Sequence, residues 1–216
     1  MISKRFQILL LLLAFTLGSY AQVGIKAGIN MANQIRSFRK ADIIQGFSTE
    51  NLTGFQIGVI YEAFPRHSDM GTDVGLFISQ KGFAYTDSTQ IVNDLITLGY
   101  HEYNYIELPI NLRYRYSHKL IGAYASGGLY GAYLLSAKSV DETANSIENL
   151  SFRGVMERLD YGYSLNAGIE VFRQIQLGLS WSHGLKYFLN SISTKNTSPE
   201  KKDNRVFSIN LTYLFR

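Results

Sequence analysis

Residues 105–116 read YIELPINLRYRY, and the solvent met by each face of this stretch decides the fold. Ile106, Leu108, Ile110, Leu112, Tyr114 and Tyr116 alternate with Tyr105, Glu107, Pro109, Asn111, Arg113 and Arg115. A period of two is that of a β-strand, whose successive side chains point to opposite faces. The apolar face can cover a protein core and leave the charges in water. It can instead face lipid, which turns Glu107, Arg113 and Arg115 into a closed interior. The rest of the chain decides between them.

The 216 residues include no cysteine, which excludes a disulfide framework and any Cys-based metal site. At the start, MISKRFQILLLLLAFTLGSYAQ carries Lys4 and Arg5, an apolar run from Ile8 to Leu17, and then Ser19-Tyr20-Ala21. A charged n-region, an apolar core and a small-x-small site define a secretory signal peptide over 1–21, with Gln22 as the new N-terminus. The run is shorter than the roughly 20 residues a spanning helix needs. No cysteine follows the site, so a lipoprotein anchor is excluded. Residues 22–216 then form one domain. Losing Lys4 and Arg5 lowers the formal charge from +4 to +2, so the basic balance does not point to nucleic acid. Fifteen Tyr, 13 Phe and 19 Gly against 3 Pro suit an all-β fold.

Eight segments read as strands: 23–31, 53–64, 72–86, 101–117, 121–136, 159–172, 175–188 and 204–215. Only 88–98 offers a competing short helix. The gaps between segments hold 21, 7, 14, 3, 22, 2 and 15 residues. Long polar gaps (32–52, 87–100, 137–158 and 189–203) thus alternate with tight turns. A soluble sandwich has no reason to keep long loops at one end. A membrane barrel does, with short periplasmic turns and long outer loops. An even strand count puts both termini on the short-turn side.

The faces agree. Ile175, Leu177, Leu179 and Trp181 oppose Gln176, Gly178, Ser180 and Ser182; Phe207, Ile209, Leu211, Tyr213 and Phe215 oppose Ser208, Asn210 and Thr212, with Leu214 the exception. Gly24, Gly28, Gly54, Gly58, Gly75, Gly162, Gly168, Gly178 and Gly184 fall on the polar face. Glycine weakens an exposed strand but fits a narrow lumen where backbones approach closely. The polar face is therefore placed inside and the apolar face outside. Segment 121–136 alternates poorly, and Gly127-Gly128 is expected to mark a bulge. Pro109 is expected to break the hydrogen-bond ladder locally, because it has no N–H to give. Tyr61, Tyr114, Tyr116, Tyr213 and Phe215 fall at short-turn ends of outward faces, and Tyr161 and Tyr163 near the opposite rim, as in the aromatic girdles of an outer-membrane barrel.

Through VGIKAGIN, YIELPINLRYRY, DYGYSLNAGIEV, LGLSWSHGL and NRVFSINLTYLF, the chain resembles the PorT-like family of small outer-membrane β-barrel proteins of Gram-negative bacteria. The resemblance spans essentially all of 22–216. It implies a non-enzymatic barrel, and support of protein secretion across the outer membrane by those members that resemble PorT itself. It also implies recognition by barrel-insertion machinery through a terminal strand ending in an aromatic residue. Phe215 supplies the aromatic, although Arg216 follows it.

Candidate chemistry is sparse. His67 and His118 fall in short turns, His101 near the outer end of a strand and His183 on an outward face, and no two share metal-ligand spacing on one face. The single conceivable catalytic set is His101 with Asp87, Asp94 or Glu102 and Ser88. More coherent is a set of inward charges: Lys26, Glu62, Asp73, Lys81, Glu107, Arg113, Arg115, Glu170 and Lys186. An eight-stranded barrel is just wide enough for side chains to fill. These charges are accordingly expected to pair with one another and close the lumen, rather than to line an ion path.

The expectation is an eight-stranded antiparallel up-and-down transmembrane β-barrel, without catalytic residues, cofactor or metal. Its partners would be outer-membrane lipid, the insertion machinery, and envelope or secretion proteins at the outer loops. Two other classes stay open at this point. A soluble lipocalin-like barrel would need apolar residues inside and charges outside, and an outer-membrane lipid-modifying enzyme would need the His101 set to converge.

Overall fold

The computed structural model describes residues 19–37, 47–92, 95–144, 146–150, 158–185 and 201–215. Nine strands are seen in these residues: β1 (Ser19–Ser37), β2 (Phe47–Pro65), β3 (Met70–Val92), β4 (Leu95–His118), β5 (Ile121–Asp141), β6 (Ser146–Asn149), β7 (Leu159–Val171), β8 (Ile175–Gly184) and β9 (Lys201–Phe215). Eight of them form the wall. Each pairs antiparallel with its neighbours in sequence, β5 passes to β7, and β9 returns to β1 to close the ring. β6 stands outside the ring, paired with Lys138–Asp141 at the far end of β5. The eight-stranded up-and-down barrel is borne out.

The registers set its dimensions. A path that leaves β1 at Val23 runs through Tyr61, Val74, Ile110, Leu129, Tyr163, His183 and Arg205. It returns to β1 at Asn33, ten residues from its start. For eight strands about 4.8 Å apart, rising about 3.3 Å per residue, that stagger gives a tilt of about 40° and a backbone radius of about 8 Å. A cylinder this narrow has room for side chains and little else.

The outward face is apolar. Val23, Ile25, Ile57, Val59, Ile110, Leu112, Leu129, Leu165, Leu177, Leu179 and Leu211 are each 45–70% exposed, while the residues between them are buried or half-buried. In 105–116 the even positions point out, and Glu107, Asn111, Arg113 and Arg115 point in. Such a belt is unstable in water and satisfied by lipid. The inside-out pattern is the reverse of what a lipocalin-like barrel requires.

Three departures from the sequence reading have physical causes. First, strand runs into the gaps 32–52, 87–100 and 137–158 and includes 201–203: β1 runs on to Ser37, β3 to Val92 and β5 to Asp141, and β2 and β4 begin at Phe47 and Leu95. Segment 88–98 is strand wherever it is described, not helix. Beyond the lipid no face needs apolar residues, so the period-two pattern fades while the backbone ladder continues. Residues 38–46, 151–157 and 186–200 lie outside the described residues. Second, the bulge in β5 is not at Gly127-Gly128. The register shifts where Tyr105 opposes Leu134 and Asn104 opposes Ser136, which leaves Leu135 as the extra residue. Below it β5 alternates regularly, but with small residues outward (Ala123, Ala125, Gly127, Gly131) and bulky ones inward (Tyr124, Tyr130, Leu134), which blurs the hydropathy pattern. Third, β8 ends at Gly184, so Lys186 lies outside the described residues.

Pro109 does interrupt the sheet, on one side. The β3–β4 ladder skips Gly75 and Leu76, which lie opposite Pro109 and Leu108, and resumes in the same register at Phe77–Glu107. The β4–β5 ladder continues through Pro109–Tyr130. A residue without an N–H cannot complete the rungs around it.

Candidate functional site

The lumen holds the chemistry. Arg113 on β4 places Nη1 2.9 Å from Glu62 of β2 and 3.4 Å from Asp73 of β3. Its Nη2 donates to Gln176 Oε1 of β8 at 2.9 Å. Gln176 Nε2 in turn donates to Glu62 at 3.1 Å and to Glu170 of β7 at 2.9 Å. Asn111 Nδ2 donates to the second oxygen of Asp73 at 2.7 Å, and Ser164 Oγ donates to Asn111 Oδ1 at 2.9 Å. Glu62 and Glu170 are 0% and 1% exposed, and Arg113 and Asp73 3% each. Five strands are thus tied across the barrel axis.

Glycines make room for this network. Tyr124 of β5 lays its ring 3.7 Å from the Arg113 guanidinium, and its hydroxyl occupies the space a Cβ at Gly178 would need. Across the lumen, the Phe77 ring folds back over Gly75, beside the skipped rungs at Pro109. It packs there with Ile60 and Leu214, so an apolar residue in the otherwise polar inward row of 208–214 has apolar company.

Farther from the short turns, Lys81 pairs with Glu107 at 2.5 Å and holds its ammonium 4.6 Å from the Tyr130 ring centre and 5.4 Å from that of Tyr105. Asp160 accepts from the Tyr130 hydroxyl at 3.4 Å and from Asn204 Nδ2 at 3.2 Å. Asn30 donates to Ser79 and to the carbonyls of Phe55 and Gln80, and accepts from Ser208. Above these lies an apolar cluster of Phe83, Tyr103, Tyr105, Tyr130, Ala132, Leu134 and Ala137, flanked by Tyr85 and Leu150. Between the layers, among the described residues, lies a cavity of about 40 Å³ bordered by Lys26, Asp73, Glu107, Asn111 and Arg113. That is room for a few waters at most.

Of the charges singled out from the sequence, Glu62, Asp73, Arg113, Arg115 and Glu170 meet in one network and Lys81 with Glu107 in a second. Lys26 holds its ammonium 5.5 Å from the Phe77 ring. Sequence reasoning missed Asp160, which shares the parity of Gly162 and Ser164, and Gln176, whose lack of charge hid its role as the bridge. It also missed the lumenal aromatics, because Tyr103, Tyr105 and Phe83 sit among polar neighbours of the same parity.

The outer aromatics fall on the lipid side: Tyr114, Tyr116, Tyr161, Tyr213 and Phe215 are 46–58% exposed, and Tyr61 and Tyr163 half-buried. Tyr213 and Phe215 meet edge to face at 5.4 Å, and Tyr163 lies 5.5 Å from both Trp181 and His183. His67 and His118 are at the short-turn end. His101 faces inward, stacked between Tyr85 and Tyr103 with ring centres 5.2 and 6.3 Å away. The ladder sets His101 opposite Phe83 and Asp87 opposite Thr97, four residues on, or about 13 Å along the strand. Glu102 points to the other face and accepts from Asn104 at 3.0 Å. Asp94 lies outside the described residues. Within the set, Glu102, whose side chain is described, turns away from His101, and Asp87 sits well along the strand from it.

A family model described as the outer membrane protein beta-barrel domain matches residues 4–190. Among solved structures, the chain is similar to Ail of Yersinia pestis at 13% identity and a TM-score of 0.43, over 90% of this chain and 99% of that one. It is similar to OprG of Pseudomonas aeruginosa at 10% identity and a TM-score of 0.49, over 92% and 97%. Neisserial surface protein A aligns at 10% identity and a TM-score of 0.43, over 91% and 99%. No protein of curated function matches the chain.

Proposed function

Since this chain belongs to the family of outer membrane protein beta-barrel domains, we propose that it acts in the bacterial outer membrane as a closed, non-conducting and non-enzymatic barrel. On this reading 1–21 are removed on export, the short turns face the periplasm, and the role is structural or interaction-based. Support of protein secretion, which the PorT resemblance implies, is the specific form of that role. One observation carries the proposal: the lumen is crossed by the Glu62–Arg113–Gln176–Glu170 network and retains a cavity of about 40 Å³, too small for a continuous water column.

Planar-bilayer recording of the purified barrel tests it. A flat baseline is expected at all voltages the membrane tolerates, and reproducible single-channel steps overturn the closed-barrel reading. Fractionation of cells should recover the protein only in detergent-extracted outer membrane. Recovery in periplasmic buffer overturns the localisation.

A further inference from the structure

The lumen is not closed alike at its two ends. The aromatic cluster around Phe83, Tyr105 and Tyr130 fills it far from the short turns. At the short-turn end it opens into a basin of about 980 Å³ whose lining includes Gln22, Phe64, His67, Asp69, Arg115 and Arg173, with Phe215 at its lipid-side rim. The barrel is a cup that faces the periplasm, on the topology proposed above.

Arg115 forms the floor of this cup. Its guanidinium lies 3.9 Å from the Phe64 ring, which fixes its plane. Its ion pairs are long, 3.9 Å to Glu62 and 3.8 Å to Glu170, because Arg113 already holds Glu62 at 2.9 Å. These contacts, and a 3.3 Å hydrogen bond donated to Gln22, all run through Nη1. Among the described residues, the Nη2 and Nε donors carry no partner. At the rim, His67 and Arg173 hold left-handed backbone conformations, with φ of 62° and 55°. Glycine would sit there without strain, yet an imidazole and a cation occupy these positions.

We propose that this basin is a binding site for the C-terminal carboxylate of a periplasmic peptide segment. Arg115 clamps the carboxylate, and Arg173 and His67 draw it in. A guanidinium offers paired donors that match a carboxylate. The volume suits a segment of a few residues better than a free inorganic anion.

The test uses the mature protein, residues 22–216, in detergent micelles and a dye-labelled Ala-Ala-Leu-Phe peptide, with a free or an amidated C-terminus. Fluorescence anisotropy should show saturable binding of the free acid, weakened about tenfold or more by amidation. Arg115→Gln should abolish binding. Arg173→Gly should weaken it several-fold while leaving the unfolding temperature unchanged or higher, since the glycine relieves the turn. Equal binding of the amidated peptide, undiminished binding in Arg173→Gly, displacement by inorganic phosphate at concentrations where acetate has no effect, or no saturable binding overturns the proposal. The topology on which it rests is read separately. A Ser68→Cys variant should react with a membrane-impermeant maleimide only after the outer membrane is permeabilised. Labelling in intact cells would overturn the topology and leave the micelle result standing.

Discussion

The guanidinium of Arg113 holds two carboxylates and an amide while 3% exposed, so its charge is stable inside the barrel only because each partner is in place. Removing Glu62 leaves it one carboxylate, Asp73, at 3.4 Å. Glu62→Leu is expected to destabilise the barrel by about 3–5 kcal/mol, the range found when one partner of a buried ion pair is deleted. Unfolding by urea from lipid vesicles, followed through Trp181, the single tryptophan, measures it. A loss below about 1 kcal/mol would mean that water reaches the site and the network is not sealed. Nearby, Gly178→Val should push Tyr124 off Arg113 and cost about 1–3 kcal/mol, as overpacking does. At this scale the sequence shows parity and nothing of partnership. Alternation assigns Glu62, Asp73 and Arg113 to one side of their strands. That Gln176 joins them, from 114 positions away in the chain, depends on stagger and strand order, which no local pattern encodes.

Among the strands, β4 was the most legible, because its apolar and charged rows are long and unmixed. β5 was the least, since Tyr124 and Tyr130 fill the lumen from the inward row while alanine and glycine take the lipid side. The bulge at Leu135 is announced by no glycine. Pro109 was legible as a fault, though not as a one-sided one. Pro109→Ala returns an N–H to the strand and is expected to stabilise the barrel by about 0.5–1.5 kcal/mol, the net worth of one hydrogen bond. The same vesicle titration checks it. A destabilised variant would show that the gap in the β3–β4 ladder is needed to seat the Phe77 ring over Gly75.

The whole molecule is a polar rod inside an apolar sleeve, and substitutions should read out which layer they strike. Leu179→Arg, on the outward face, is expected to cost about 2–4 kcal/mol if it lies near the bilayer midplane, measured by the same unfolding from vesicles. An equal tolerance for arginine at Leu179 and at exposed Lys119 in a short turn would contradict a lipid-facing sleeve. The period-two segments gave the strand number, the alternation of long and short gaps pointed to a closed barrel, and the even count put the start of β1 and the end of β9 on the short-turn side, as the registers show. The height of the walls beyond the lipid was not legible, because hydrogen bonding between backbones leaves no trace in residue type where both faces are wet. Ring closure also sets a timetable. Val23 finds Phe215 across almost the entire chain, so the first strand waits, one edge bare, until the last has been made. Such a chain gains little from folding as it emerges, and its slow step is the meeting of its two ends. Until that meeting, both edges are open to strands of other molecules, so the stretch from export to closure is where the protein most needs an escort.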